Sequence, residues 1–259
     1  AAATSELTAE AALADVASQL GPAATGDLAD LGALFDEAGG GQATLGEGLG
    51  AGGAATFFGD EIQGNRIVFL VDNSGGLQHG GLEALCNELK QCVAQLQPKQ
   101  RFYVIFYSYT IYPLFYPDPA NNFIRPTPQN VELLGDWLES VEVCLGNAID
   151  EGLAATTAIE PDVVYLLTDG RVNTTRDGRK LSMFLVADGR RFTIHTLGMG
   201  TGESGDAADQ LQQIADANGG KFRAVEIDPA DREAAKARKR PYHNQRPGRL
   251  WGRNVKPPR

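Results

Sequence analysis

Apolar runs of strand length alternate with stretches of helical period through most of this chain. The runs lie at residues 66–71 (RIVFLV), 101–107 (RFYVIFY), 162–167 (DVVYLL), 192–197 (FTIHTL) and 221–227 (KFRAVEI). Helical spacing of apolar positions fills residues 81–96, 129–140, 146–158, 179–188 and 206–217, and a hairpin turn is expected near Thr110 to Leu114. Buried strands joined by helix-length crossovers predict a three-layer, doubly wound α/β domain with a mainly parallel sheet over residues 57–227. Upstream, Leu7, Ala11, Leu13, Val16 and Leu20 recur at helical spacing, and Leu28, Leu31, Leu34 and Phe35 form a second apolar stripe. Residues 1–38 therefore read as a helical arm, and the Gly/Ala-rich residues 39–56 as a flexible linker. Downstream, residues 228–259 begin with a short helix after Asp228-Pro229 and continue from Pro241 as a proline-rich segment. That segment is expected to be extended and to need something else to hold it.

Charge changes the picture of the two arms. Residues 1–60 contain nine acidic residues and no Lys or Arg, whereas residues 234–259 contain nine basic residues and no acid. With a net charge of -10 over 259 residues, the body disfavours a nucleic-acid partner, which would demand a positive surface. No stretch is long and apolar enough to span a bilayer. The start at Ala1-Ala2-Ala3-Thr4 fits cleavage by a signal peptidase, so an exported, cell-surface location is expected. Three cysteines form no zinc spacing. Cys86 and Cys92 share a helix more than a turn apart, which leaves either buried free thiols or a Cys86–Cys144 bridge.

The candidate chemistry sits where the first apolar run ends. Asp72-Asn73-Ser74-Gly75-Gly76 follows RIVFLV, and Thr168-Asp169-Gly170 follows VVYLL. Neither carboxylate belongs inside a core, so both are expected at the carboxyl edge of the sheet, where open α/β folds keep their crevices. The two motifs, in this order and spacing, resemble the von Willebrand factor A domain, and the stretches ATFFGDEIQGNRIVFLVDNSGG, PKQRFYVIFYS and IHTLGMG resemble a bacterial branch of it found in exported and cell-surface proteins. That family binds a divalent ion through D-x-S-x-S after the first strand, a Thr from a middle loop and a later Asp. The resemblance implies Asp72, Ser74 and Asp169 as ligands for Mg2+ or Ca2+. It also exposes two departures: Gly76 stands where the family has Ser, and Val143 where it has Thr. With two hydroxyl ligands gone, the expectation is that no cofactor is held.

Other readings of these residues are structural. Asp72 and Ser74 are suited to capping the helix that begins near Gly80, and Thr168 with Asp169 to anchoring the next strand end. A serine hydrolase is disfavoured because Ser74 lacks the G-x-S-x-G context, and no nucleophile pairs with a base. His195, inside a strand, reads as a core residue, while His79 lies in the turn beside the site. Aromatic residues crowd residues 102–116 and would offer a partner surface where the core leaves them exposed. The expectation is a non-enzymatic protein that assembles with copies of itself, another surface protein being a further candidate partner. Leu28, Leu31, Phe35, Arg246, Arg249, Leu250 and Trp251 are the interface candidates, and metal-dependent adhesion to an acidic ligand is the alternative.

Overall fold

The computed structural model describes residues 54–170 and 192–256. The arm with Leu28, Leu31 and Phe35, the linker up to Gly53 and the expected helix at 179–188 lie outside the described residues.

A six-stranded sheet forms the centre. Its strands are β3 (Arg66–Asp72), β4 (Arg101–Tyr107), β5 (Ile111–Pro113), β7 (Val163–Thr168), β8 (Thr193–Met199) and β9 (Phe222–Val225), in the order β5-β4-β3-β7-β8-β9. Every pairing is parallel except β4 with β5, the expected hairpin. β3 and β7 are adjacent and buried almost throughout, which accounts for their runs of Val, Ile, Leu, Phe and Tyr without polar alternation.

Helices cover the sheet. α1 (Gly81–Gln95) buries Leu82, Leu85, Leu89, Cys92 and Val93 along one face. α2 (Pro128–Glu139) starts with Pro128 at its first position, and the Thr127 hydroxyl accepts from Asn130 N. α3 (Ile149–Ala158) and α4 (Asp206–Ala217) follow, and α4 shows Leu211, Ile214 and Ala215 to the core. β1 (Thr56–Phe57) and β2 (Asp60–Glu61) form a small antiparallel pair ahead of the sheet.

The carboxy-terminal segment folds back on this domain. α5 (Pro229–Ala237), capped by Asp228, leads to β10 (Tyr242–His243), which pairs in parallel with β6 (Val143–Cys144). Trp251 then enters a cage of Phe106, Tyr112, Tyr116 and Trp137, with ring centroids 4.6–6.2 Å away. Two expectations are corrected here. The aromatic residues at 102–116 do not form a free surface: most are buried in the domain, and Phe106, Tyr112 and Tyr116 pack against Trp251 of the chain's own tail. Trp251, expected at an interface between copies, is 1% exposed inside its own domain. The buried indole is one of several contacts, with the Arg240 hydrogen bonds and the β6–β10 pairing, that together offset the entropy of ordering the segment. Cys86, Cys92 and Cys144 are all buried free thiols, so the Cys86–Cys144 bridge is not formed. Cys86 instead approaches the Leu138 carbonyl from α1, and Cys144 lies in the β6 ribbon, its N–H donating to Asn73 O.

Candidate functional site

Because β3 and β7 are neighbours, their carboxyl ends bring Asp72 and Asp169 together, as the two motifs required. Asp72 is the last residue of β3 and is buried. Its Oδ1 accepts from Ser74 N at 2.6 Å, closing a tight turn, and the Ser74 hydroxyl and the Asp169 N–H also donate to this carboxylate. Burial first, and the Asp169 charge second, push the Asp72 carboxyl up to about 7, against the lowering effect of those hydrogen bonds. Tyr107, beside Asp72 in the next strand, is likewise pushed well above its usual range by burial and then by the Asp72 charge. The capping role expected of Asp72 and Ser74 is corrected: α1 starts after Gly80 with no side-chain cap, and Ser74 makes no cap bond to the 3-10 turn Gly75–Leu77. Their bonds hold the turn to β3 instead. Thr168 anchors its own strand end, its hydroxyl accepting from Gly170 N at 3.2 Å.

Gly76 decides how the carboxylates sit. A side chain there would put its Cβ 1.7 Å from Asp169 Oδ2 and 2.6 Å from its carboxyl carbon. The Asp169 carboxylate therefore rests against the bare Cα of Gly76, in the space that a hydroxyl-bearing residue would need. Val143 is buried in β6 and offers an apolar side chain. Among the described residues no group of three or more His, Cys, Asp or Glu is placed to hold a metal. Asp72, Asp169 and Ser74 together supply fewer side-chain oxygens than the near-octahedral shell of Mg2+ or the larger shell of Ca2+ takes.

What the crevice does hold is its own chain. Asn73 donates from Nδ2 to Glu142 O at 2.9 Å and accepts from Cys144 N at 3.1 Å, which binds the middle loop to the end of β3. Over that loop runs the strap, residues 238–252. Val143 N donates to Pro241 O and Leu145 N to His243 O, and the Tyr242 ring lies so close over Gly75 that a Cβ there would meet it at 3.3 Å. Arg240 donates from Nε to Glu83 Oε1 at 2.8 Å and from Nη1 to the carbonyls of Leu138 and Val141, both at 2.9 Å. Glu142, 2% exposed, accepts from Gly248 N and lies 2.7 Å from His243 Nε2. Gly252 N donates to Ser140 Oγ at 2.8 Å.

Of the residues singled out in the sequence, Asp72, Ser74 and Asp169 come together. Arg246 and Arg249 are exposed on the strap, as is Leu250. His195 is buried and stacks on Tyr165 at 5.0 Å, while His79 is exposed in the turn. Asn73, Glu142, Arg240 and Gly252 were not anticipated. A signal existed for Glu142: a lone carboxylate in the apolar stretch SVEVCLG demands a buried partner.

The model of the von Willebrand factor type A domain matches residues 67–231, well over half of the chain. Among solved structures, a von Willebrand factor type A protein from Catenulispora acidiphila is 22% identical with a TM-score of 0.54. That likeness covers 66% of this chain but only 42% of the other. The conserved hypothetical protein BatB from Bacteroides thetaiotaomicron is 16% identical (TM-score 0.49; 67% of this chain, 96% of that one). An aerotolerance-related membrane protein from Bacteroides fragilis is 14% identical (TM-score 0.47; 67% and 96%). None of the curated proteins matches. With adjacent strand ends carrying Asp72 and Asp169, a parallel sheet in this order and a family match spanning residues 67–231, the chain belongs to the von Willebrand factor type A domain family.

Proposed function

We propose that this chain is a non-enzymatic interaction subunit of the cell surface that associates with copies of itself, without needing a metal ion. One observation carries the reading. Among the described residues, the large apolar side chains that stand exposed are Leu145 (52%), Tyr242 (43%) and Leu250 (62%); two lie on the strap, and Leu145 directly follows the strand it pairs with and bonds the strap through His243 O. Apolar side chains gathered on one element, rimmed by arginine, are the composition of a protein contact. Arg246 and Arg249 supply that rim.

The rest of the reading follows from charge and from the crevice. Opposite signs at residues 1–60 and 234–259 favour an oriented, head-to-tail association between copies, in which charge steers and apolar burial holds. The crevice offers two mutually repelling carboxylates and a serine hydroxyl engaged by Asp72, a poor basis for nucleophilic catalysis. No helix among the described residues is long and apolar enough to cross a membrane.

Light scattering on the full chain over a range of concentrations tests this, once with Mg2+ and once with a chelator. The expected result is a mass that rises with concentration and is the same in both. A mass fixed at one chain throughout would overturn the reading. Association confined to the Mg2+ samples, with tight binding by calorimetry, would favour the metal-dependent adhesin instead.

A further inference from the structure

We propose that the seat of the strap is an exchangeable peptide site, which in the assembly takes residues 238–252 from a second copy. The inference deepens the self-association reading above and rests on it. The seat is complete on the domain without the strap. It comprises the Glu83 carboxylate with the carbonyls of Leu138 and Val141, the open edge of β6, the buried Glu142 carboxylate, Ser140 Oγ and the aromatic cage. Each is a known way of reading an extended segment: a cation in a carboxylate and carbonyl pocket, backbone pairing to a strand edge, and an aromatic anchor. The residues that satisfy them, Arg240, Tyr242, His243, Gly248, Trp251 and Gly252, are fixed in spacing along one segment. A second copy carries the same segment, and that settles the occupant.

The connector between β9 and the seat holds the tail weakly to its own domain. α5 buries none of its residues. It touches the domain through its first turn, where Arg232 N comes within 2.8 Å of a Cβ placed on Gly80, and through an exposed Asn87–Asp231 hydrogen bond of 3.1 Å. A cleft of about 210 Å3 remains between α1, α2 and the stretch Ala234–Arg240. Strap and seat make the same bonds whether one chain or two supply them, so the balance is set by connector strain and local concentration. Exchange of an identical element is a low-cost route to assembly, and its one-way form, tail into the next seat, propagates as a chain.

Charge reversal on full chains tests the exchange. Glu83→Arg and Arg240→Glu each place like charges in strap and seat of one chain, and both pairs become opposite only when two different variants trade tails. Light scattering should find each variant monomeric alone, and at least a tenfold tighter association in their equimolar mixture. As a second measurement, a fluorescent peptide of residues 238–256 should bind the full-length Trp251→Ala chain, whose own anchor is lost, and the same peptide carrying Gly252→Ala should not, because the added Cβ would lie 1.9 Å from Tyr116 O at a left-handed φ of +67°. Folded variants that stay monomeric on mixing, with no peptide bound, would overturn the exchange. If wild type and a full-length Gly252→Ala chain associate equally, self-association stands and this seat is not its site. If wild type and mixture both stay monomeric, the two readings fall together.

Discussion

Two regions on the same edge of the sheet bury carboxylates, and they treat them oppositely. In the crevice, Asp72 and Asp169 face each other, and burial with mutual repulsion pushes the Asp72 carboxyl up to about 7. In the seat a few residues away, Glu83 meets the Arg240 guanidinium, with side chains only 11% and 9% exposed, and Glu142 meets His243 and the N–H of Gly248. The contrast teaches where this domain satisfies negative charge. Here the cation of this face is a guanidinium delivered by the chain's own tail, one strand end away. A buried charge must be paired or protonated, and the two regions use one solution each.

The comparison breaks most visibly if the strap is dislodged. Trp251→Ala removes the anchor from a cage of four aromatic rings and should lower stability by about 3 kcal/mol, the low end for a buried aromatic, since the vacated segment can relax into water. Thermal unfolding followed by near-ultraviolet circular dichroism measures it. Loss below about 1 kcal/mol would mean that the cage is filled without the tail.

Next in size, Arg240→Ala leaves Glu83 and two carbonyls without their donor at a largely buried position, for an expected cost of about 2 kcal/mol, the range of unsatisfied buried acceptors. The double variant Glu83→Ala with Arg240→Ala should recover part of that loss, because the stranded carboxylate is gone too. A double-mutant cycle by urea unfolding gives the coupling, and simple additivity would show that the pair is not a functional unit of the seat.

The crevice is sharpened by pH. The folded-state value for Asp72 lies above its unfolded value near 4, so the folded protein binds a proton that the unfolded chain releases. Stability from this group is therefore present below the unfolded value and is lost as pH rises from about 4 to about 7, after which it is flat. His195 acts in the opposite sense, since burial lowers its value and favours the folded state toward higher pH. The difference between wild type and Asp72→Asn isolates the carboxyl. Between pH 5.5 and 7.5 the wild type should lose a few degrees of melting temperature relative to the variant, and parallel curves would mean that Asp72 is ionised throughout.

The smallest expected effect comes from Gly76→Ser. Its Cβ must displace the Asp169 carboxylate, the movable end of a side chain, so the cost should be about 1 kcal/mol. Differential scanning calorimetry tests it, and an unchanged melting temperature would show that Asp169 moves freely and that the crevice is less fixed than described.

The sequence by itself determined the sheet and the meeting of two carboxylates. Unbroken apolar runs such as RIVFLV and VVYLL have one stable placement, buried between helical layers, and motifs at the ends of adjacent parallel strands must converge. Only the tertiary structure decided what those carboxylates face. Side-chain direction at Asp169 depends on the absence of a Cβ at Gly76, ninety-three residues earlier in the chain. It also decided that the basic tail, legible as charge and proline, is a strap on its own domain. Arg240, Trp251 and Gly252 find partners at Glu83, Tyr112 and Ser140, separated from them by more than a hundred residues, and no local pattern of period 2 or 3.6 records contacts at such a distance.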